Sequence, residues 1–136
     1  ALGGGAATTR HKEFAILRTS ALQGCSYCIN SHSETALDVG LSLTEVRALR
    51  GETPLEDCFP LESELALLGW IDALAGATGA IPDDVWKRAR SHWAEHELIE
   101  ICVTVGATMF LNRLATGLQL PTSPAILDRL SAKGLR

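Results

Sequence analysis

The residues with the clearest chemical potential form the motif C-x-x-C-x-x-x-H, made of Cys25, Cys28 and His32. Apolar residues follow at helical spacing up to Gly40, which is typical of a helix end. On one helix these three side chains share a stripe, and the α-carbons of the two cysteines are about 5–6 Å apart, which suits a disulfide. A helix N-terminus also favours thiolate over thiol. The motif therefore predicts a reversible dithiol–disulfide pair beside an imidazole.

Other interpretations of the motif fit less well. Two buried cysteines with a packed histidine would need no function, but their common stripe at a helix start makes this a minority interpretation. A closed zinc site usually has four ligands, and the chain has no second C-x-x-C to supply the fourth. Covalent haem attachment needs C-x-x-C-H, and Ile29 occupies the histidine position. Redox chemistry is the best fit, and we expect no bound cofactor or metal.

The remaining candidate ligands and thiols are weaker. His92, His96 and Glu100 are spaced i, i+4, i+8 and could form one face of a metal site. Histidines and acids near a helix start are, however, more often a solvated end. Cys58 falls in a polar loop with prolines and is interpreted as an incidental thiol. Cys102 falls in an apolar run and is expected to be a core residue.

The elements that position the motif are predicted to be helices, because no alternating apolar run bounded by turns appears. Glu13 lies on the first, at about residues 10–21, at the edge of its inward face or within it. By pattern alone it is best explained as an acid in the first helical turn. A contact between Glu13 and Cys25 would need a sharp turn near residues 22–24, since one straight helix would separate them by about 18 Å. The other predicted helices span about residues 26–39, 42–50, 61–78, 82–92, 98–111 and 125–132, with Gly79 ending the fourth.

The segment from Leu98 to Leu111 is the most apolar predicted helix, with Glu100 as its only charge. It is too short to span a bilayer, which takes about 20 residues. Because it is apolar on all sides, we expect it to be buried all round, as a central helix or at a subunit interface.

The length of the chain and its net charge limit the number of domains and the classes of function that we expect. A chain of 136 residues favours one domain, predicted at residues 10–136 after a flexible, glycine-rich lead-in at residues 1–9. The net charge of −4 and the lack of a basic cluster give no support to nucleic-acid binding. The first residues do not read as a signal peptide, and we expect no membrane segment. The C-x-x-C spacing fits a cytoplasmic redox protein better than a disulfide framework.

Together these residues resemble a known family. Glu13, twelve residues before Cys25, is followed by the stretches GCSYC, His32 and GLSLTEV. This arrangement resembles the AhpD-like alkylhydroperoxidases of the carboxymuconolactone decarboxylase superfamily, and the later stretch MFLNRLATGLQLP is similar to the end of such proteins. The resemblance covers most of the chain. It implies an all-α bundle of about six to seven helices and a homo-oligomer, such as a trimer or hexamer.

The resemblance also implies an activity, the reduction of organic hydroperoxides. Cys28 would be the peroxidatic cysteine, Cys25 the resolving one, His32 the base and Glu13 the end of a proton relay. An external dithiol, lipoyl or thioredoxin-like, would reduce the pair again. The residues alone leave the order of the cysteines open, because the first cysteine of a helix-opening C-x-x-C is often the more exposed thiolate. Two further hypotheses stay open: a non-redox enzyme of the decarboxylase type, and a zinc-binding or redox-sensing module.

Overall fold

The computed structural model describes residues 7–135 except residues 77 and 79, and within these residues it is all-α, as predicted. This part of the chain contains seven α-helices and, between the third and the fourth, a 3₁₀ turn at Leu55–Asp57. The helices are α1 (Thr9–Gln23), α2 (Ser26–Asp38), α3 (Leu43–Leu49), α4 (Glu62–Leu74), α5 (Asp83–His92), α6 (Glu95–Gly117) and α7 (Pro124–Ala132).

The start of α1 lies closer to the beginning of the chain than predicted. Residues 1–6 of the predicted lead-in lie outside the described residues, but the prediction is wrong for residues 7–9. Ala7 is buried, and its N–H donates to Glu100 at 2.9 Å. Thr8 caps the helix by accepting from the N–H of His11, and Thr9 is the first helical residue. The capping hydroxyl satisfies one of the N–H groups that a helix start leaves unpaired.

The centre of the bundle is α1, which packs against α2, α3, α4 and α6. Its apolar side chains Phe14 and Leu17 are fully buried. Burial of such a side chain stabilises the fold by about 1.5–3 kcal/mol. Around them lie fully buried side chains from other helices, among them Val46, Leu49, Leu67, Leu68, Ile71, Ile101, Val105 and Leu130. The two helices that carry the cysteine motif and Glu13, α2 and α1, are therefore fixed against each other by this core.

A charged network joins the start of α1 to α3 and α4. Arg10 donates to both oxygens of Glu64, at 2.9 and 3.1 Å, and also pairs with Glu45. Burial pushes the pKa of Glu64 up, but hydrogen bonds from Arg10 and His11 outweigh it and hold that pKa below its usual value. The hydrogen bond from Arg10 likewise lowers the pKa of Glu45. Glu45 also forms the predicted capping box with Ser42 at the start of α3.

Three predicted helix ends are wrong, one in α4 and both in α6. α4 ends at Leu74 rather than near residue 78, and the predicted terminator, Gly79, lies outside the described residues. α6 is longer than the predicted run at both ends. It begins at Glu95, and the side chain of Glu97 accepts from the N–H of Ala94 just ahead of it. Polar residues continue a helix beyond its apolar run when a cap of this kind satisfies its end.

The complete α6 has 23 residues, and by length and composition alone it could cross a membrane. The prediction that it is too short is therefore wrong for the whole helix. This is weak evidence for a membrane span, because the central helix of a soluble protein passes the same test. Along its inner side α6 packs against α1, α2 and α4.

The opposite side of α6 is exposed, so the prediction that the helix is buried all round is wrong. An apolar stripe, which we call the outer face of α6, consists of Ile99, Val103, Phe110 and Leu114. Val103 and Phe110 are 61% and 67% exposed. Cys102 is also exposed, which corrects its predicted place in the core. The run from Leu98 to Leu111 is therefore apolar on two sides of α6, one that is buried in the bundle and one that is exposed.

Candidate active site

A sharp turn at Gly24 brings α2 back along α1. Gly24 has a φ of +70°, and its N–H donates to the carbonyl of Ala21 at 3.2 Å. The N–H of Cys25 donates to the carbonyl of Ser20 at 3.1 Å. This pair of bonds ends α1 in the manner of a Schellman motif, for which glycine is favoured because it adopts positive φ without strain. The turn that a contact between Glu13 and the motif requires is confirmed.

The two cysteines form a disulfide at the start of α2. Their α-carbons are 5.3 Å apart, within the predicted range. Cys25 is the N-cap, and its Sγ accepts from the N–H of Cys28 at 3.3 Å. Cys25 is 1% exposed and Cys28 is 8% exposed, so the expectation that the first cysteine is the more exposed is wrong. The N-cap position gives Cys25 a backbone donor that favours its thiolate once the disulfide is reduced.

His32 lies one turn further along α2 and contacts Glu13. Its Nδ1 is 3.2 Å from Oε2 of Glu13. Glu13 is the fifth residue of α1 and only 6% exposed, so its interpretation as a first-turn acid is wrong. A buried carboxylate needs a partner, and the imidazole supplies it. When Nδ1–H donates to the carboxylate, the ring carries its lone pair on Nε2, which can then accept a proton.

A cavity of about 330 Å³ lies between α1, α2 and α6, and we call it the Cys28 cavity. Its volume is at the low end of those that hold small molecules, and its lining is apolar apart from a few polar groups, as is usual for such sites. Cys28 and His32 are both part of that lining. The lining residues are Ile16, Ser20, Tyr27, Cys28, Ser31, His32, Ala107, Thr108, Leu111, Asn112, Leu114, Ala115 and Leu120.

A smaller cavity of about 150 Å³ lies at the Cys25 end of the disulfide, and we call it the Cys25 cavity. Its lining is more polar than that of the Cys28 cavity. Tyr27, Ala115 and Leu120 line both cavities and therefore lie between them. Cys28 lines only the larger cavity and Cys25 only the smaller. The other residues of the Cys25 cavity are Gly24, Ser26, Thr116 and Gln119.

Sequence reasoning missed the polar part of the Cys28 cavity. Asn112 on α6 is 1% exposed, and its Nδ2 donates to Oγ of Ser20 on α1 at 3.0 Å. In the described part of the chain, Oδ1 of Asn112 is buried and has no hydrogen-bond partner. Such an oxygen is costly unless a ligand or water reaches it. The sequence offered one signal for this residue. Asn112 is a polar residue at the end of an apolar run, and such a residue often has a polar partner on a neighbouring helix, here Ser20.

The weaker candidates do not join this site. His92 ends α5, whereas His96 and Glu100 lie on α6, so the three do not form one helical stripe. Glu100 instead pairs with the buried Lys12, Oε1 to Nζ at 2.7 Å. Among the described residues there is no group of three or more His, Cys, Asp or Glu side chains that could hold a metal. Cys58 is half-buried, and its sulfur lies 3.6 Å from the hydroxyl of Thr53.

Comparison with known proteins adds an independent observation. Residues 1–58, which include Glu13 and the whole cysteine motif, match the model of the carboxymuconolactone decarboxylase family. A solved structure from Agrobacterium tumefaciens, of a protein of unknown function described as a candidate antioxidant defence protein AhpD, is 32% identical with a TM-score of 0.76. The match covers 84% of this chain and 77% of that one.

Two other proteins are more distant. The debrominase Bmp8 has the same fold, with a TM-score of 0.78 at 23% identity, over 90% of this chain and 65% of its own. The uncharacterized protein YdfG of Bacillus subtilis (strain 168) is 25% identical over 109 residues, which are 79% of this chain and 71% of that protein.

Proposed function

Because this chain belongs to the AhpD-like carboxymuconolactone decarboxylase superfamily, we propose that it is a thiol-dependent peroxidase that reduces organic hydroperoxides with Cys25 and Cys28. One observation carries the proposal. Cys28 and His32 line the same largely apolar cavity, and His32 contacts the buried Glu13. A sulfur nucleophile, a base and a partner that orients the base are the parts that activated-thiol chemistry needs.

The first step takes place at Cys28 in the reduced protein. Nε2 of His32 accepts the proton of the Cys28 thiol, directly or through a water molecule. The Cys28 thiolate attacks the terminal oxygen of the hydroperoxide, the O–O bond breaks, and Cys28 becomes a sulfenic acid. The alkoxide that leaves takes the proton from His32 and departs as an alcohol. Glu13 stabilises the positively charged imidazole between the two transfers.

The second step forms the disulfide. The Cys25 thiolate attacks the sulfur of the sulfenic acid on Cys28, the S–S bond forms as the S–O bond breaks, and the departing hydroxide takes a proton from solvent to become water. Two features support Cys25 in this role. Its α-carbon is 5.3 Å from that of Cys28, and its sulfur accepts the N–H of Cys28, which favours the attacking thiolate.

An external dithiol must then return two electrons to the pair. We place this cycle in the cytoplasm, where thiols are kept reduced. The substrate would be a hydroperoxide with a small apolar tail, because the Cys28 cavity is largely apolar and aliphatic side chains of α1 and α6 line part of it. The free Oδ1 of Asn112 is an acceptor for the O–H of the hydroperoxide or of the product alcohol.

The proposal is tested by steady-state turnover of tert-butyl hydroperoxide with dihydrolipoamide as the reductant. Cys28→Ser should abolish turnover, because serine cannot form the sulfenic acid. Cys102→Ser is the matched control, since it makes the same exchange at an exposed thiol outside both cavities, and should turn over as the unchanged protein does. Unchanged turnover in the Cys28 variant would reject the peroxidase mechanism.

Two other functions make different predictions. A non-redox enzyme of the decarboxylase type would keep its turnover after both cysteines of the motif are alkylated. A zinc-binding or redox-sensing module would carry stoichiometric metal when purified, or would bind a partner whose affinity changes on oxidation. We favour the peroxidase because Cys28 and His32 line one cavity, Cys28 is bonded to Cys25, and His32 contacts Glu13.

A further inference from the structure

We propose that the hydroperoxide and the reducing dithiol reach the disulfide from opposite sides, and that the Cys25 cavity is the binding site of the dithiol. The inference rests on the proposed function, which supplies the oxidised pair, and it goes further by assigning a separate site to the second substrate. Each cysteine lines one cavity only, and Tyr27 lies between the two cavities.

The direction of attack favours this arrangement. In thiol–disulfide exchange the incoming thiolate approaches the attacked sulfur from the side opposite the sulfur that leaves. A thiolate in the Cys25 cavity is on the side of Cys25, and the group that leaves is the sulfur of Cys28. The Cys28 thiolate that is released lines the larger cavity, as His32 does. The next peroxide reacts with the thiolate in that cavity.

The exchange balances in two steps. One thiolate of the dithiol forms a bond to the sulfur of Cys25, and the bond between Cys25 and Cys28 breaks to release the Cys28 thiolate. The second thiolate of the reductant then attacks the reductant sulfur that is bonded to Cys25. This releases the Cys25 thiolate and leaves the reductant as a cyclic disulfide. The dithiol loses two electrons and the cysteine pair gains them, and because two thiolates enter the exchange and two are released, the charge also balances.

The size and lining of the Cys25 cavity indicate what kind of dithiol fits. Its volume of about 150 Å³ is less than half that of the Cys28 cavity, so it is too small for a bulky substrate. Cys25 itself is only 1% exposed, so the attacking thiol must extend on a slender, flexible chain. Ser26, Thr116 and Gln119 offer hydrogen bonds beside the sulfur. A small aliphatic dithiol meets these requirements.

Two tryptophan substitutions on α6 test the two cavities separately. Thr116 lines only the Cys25 cavity and Ala107 only the Cys28 cavity, and both are exposed positions that can accept a larger side chain. Arg113 on the same helix is exposed and lines neither, so Arg113→Trp is the matched control. Ser26→Trp fills the Cys25 cavity from α2 and replaces Thr116→Trp if that variant does not fold.

Each half of the cycle is measured alone. For the reductive half, the disulfide is first formed with diamide, so that this measurement does not depend on peroxide. The rate at which dithiothreitol reduces the disulfide is then measured. The oxidative half follows loss of thiols from the reduced protein with tert-butyl hydroperoxide. Thr116→Trp should slow reduction about tenfold or more and leave oxidation unchanged, because misplacement of reacting groups by about 1 Å costs up to about 100-fold. Ala107→Trp should slow oxidation and leave reduction unchanged.

The results that would overturn the inference differ from those that overturn the proposed function. The inference fails if Thr116→Trp leaves reduction unchanged, if it slows both halves equally, or if Ala107→Trp is the variant that slows reduction. The proposed function fails if the unchanged protein loses no thiols to peroxide, and in that case the reductive half still tests the Cys25 cavity.

Discussion

At the scale of single residues, the pairing of His32 with Glu13 is the feature that gives the cysteines a base. The two residues lie on different helices, and Nδ1 of His32 is 3.2 Å from Oε2 of Glu13. When Nδ1–H donates to this carboxylate, the lone pair of the ring is on Nε2. Because Glu13 is buried, its charge acts on the imidazole with little screening by water.

His32→Ala should slow the oxidation of Cys28 by peroxide, because a general base usually contributes roughly 10²–10⁴-fold. The loss should lie mainly in this half of the cycle and should shrink as the pH rises toward the ordinary pKa of a thiol. Stopped-flow measurement of thiol loss at several pH values checks this. His96→Ala, the same change at an exposed position on α6, should react as the unchanged protein does. A variant without His32 that oxidises at the unchanged rate at neutral pH would contradict the role of the base.

The sequence predicted some of these residues from spacing and others only from family resemblance. Cys25, Cys28 and His32 lie within one helical segment, so their proximity follows from local geometry. The local pattern explains Glu13 only as a first-turn acid, because its partner lies on another helix. Asn112 was not predicted as part of the site at all. Its contact with α1 depends on how two distant helices pack, which spacing along the chain does not define.

At the scale of elements, the turn between α1 and α2 decides whether the site forms. Gly24 has a φ of +70°, and a Cβ added there would meet no atom within 4 Å. Only backbone strain would then oppose a larger residue at this position. The sequence predicts this turn as a requirement but misplaces the ends of α4 and α6, because caps and packing partners set a helix end more than composition does.

Gly24→Ala should lower the free energy of unfolding by about 1–2 kcal/mol, the usual cost of the left-handed conformation for a residue with a Cβ. Gly106→Ala is the matched control, since Gly106 lies inside α6, is exposed, and also has no atom within 4 Å of an added Cβ. It should stabilise the protein by about 0.5–1 kcal/mol, because alanine favours helix. Urea denaturation measures both. Effects of the same sign in the two variants would contradict the strain argument.

At the scale of the whole molecule, the outer face of α6 is a large apolar surface on the helix that also forms one wall of both cavities. Exposed apolar patches of this kind mark interaction surfaces. The predicted trimer or hexamer would cover it, and the two predicted roles of this helix, central helix and subunit interface, would then belong to its two sides. The sequence does not show which side of the helix has which role, because both sides are apolar.

We expect the protein to be a homo-oligomer that uses the outer face of α6. Phe110→Asp places a charge in the middle of that face, where Phe110 is 67% exposed, and should shift the protein to monomers without unfolding it. Lys87→Asp, an exposed position on α5, is the control and should keep the oligomer. Sedimentation equilibrium gives the mass of each. An unchanged protein that sediments as a monomer at all concentrations would disprove the oligomer.

The central claim is that Cys25 and Cys28 are a peroxide-oxidised pair, and a thiol count tests it most directly. The fully reduced protein is mixed with one equivalent of an organic hydroperoxide, its free thiols are counted, and the remaining disulfide is located by peptide mapping. We predict rapid loss of two thiols and a single linkage, between Cys25 and Cys28. No loss of thiols, or loss confined to Cys58 or Cys102, would contradict the account.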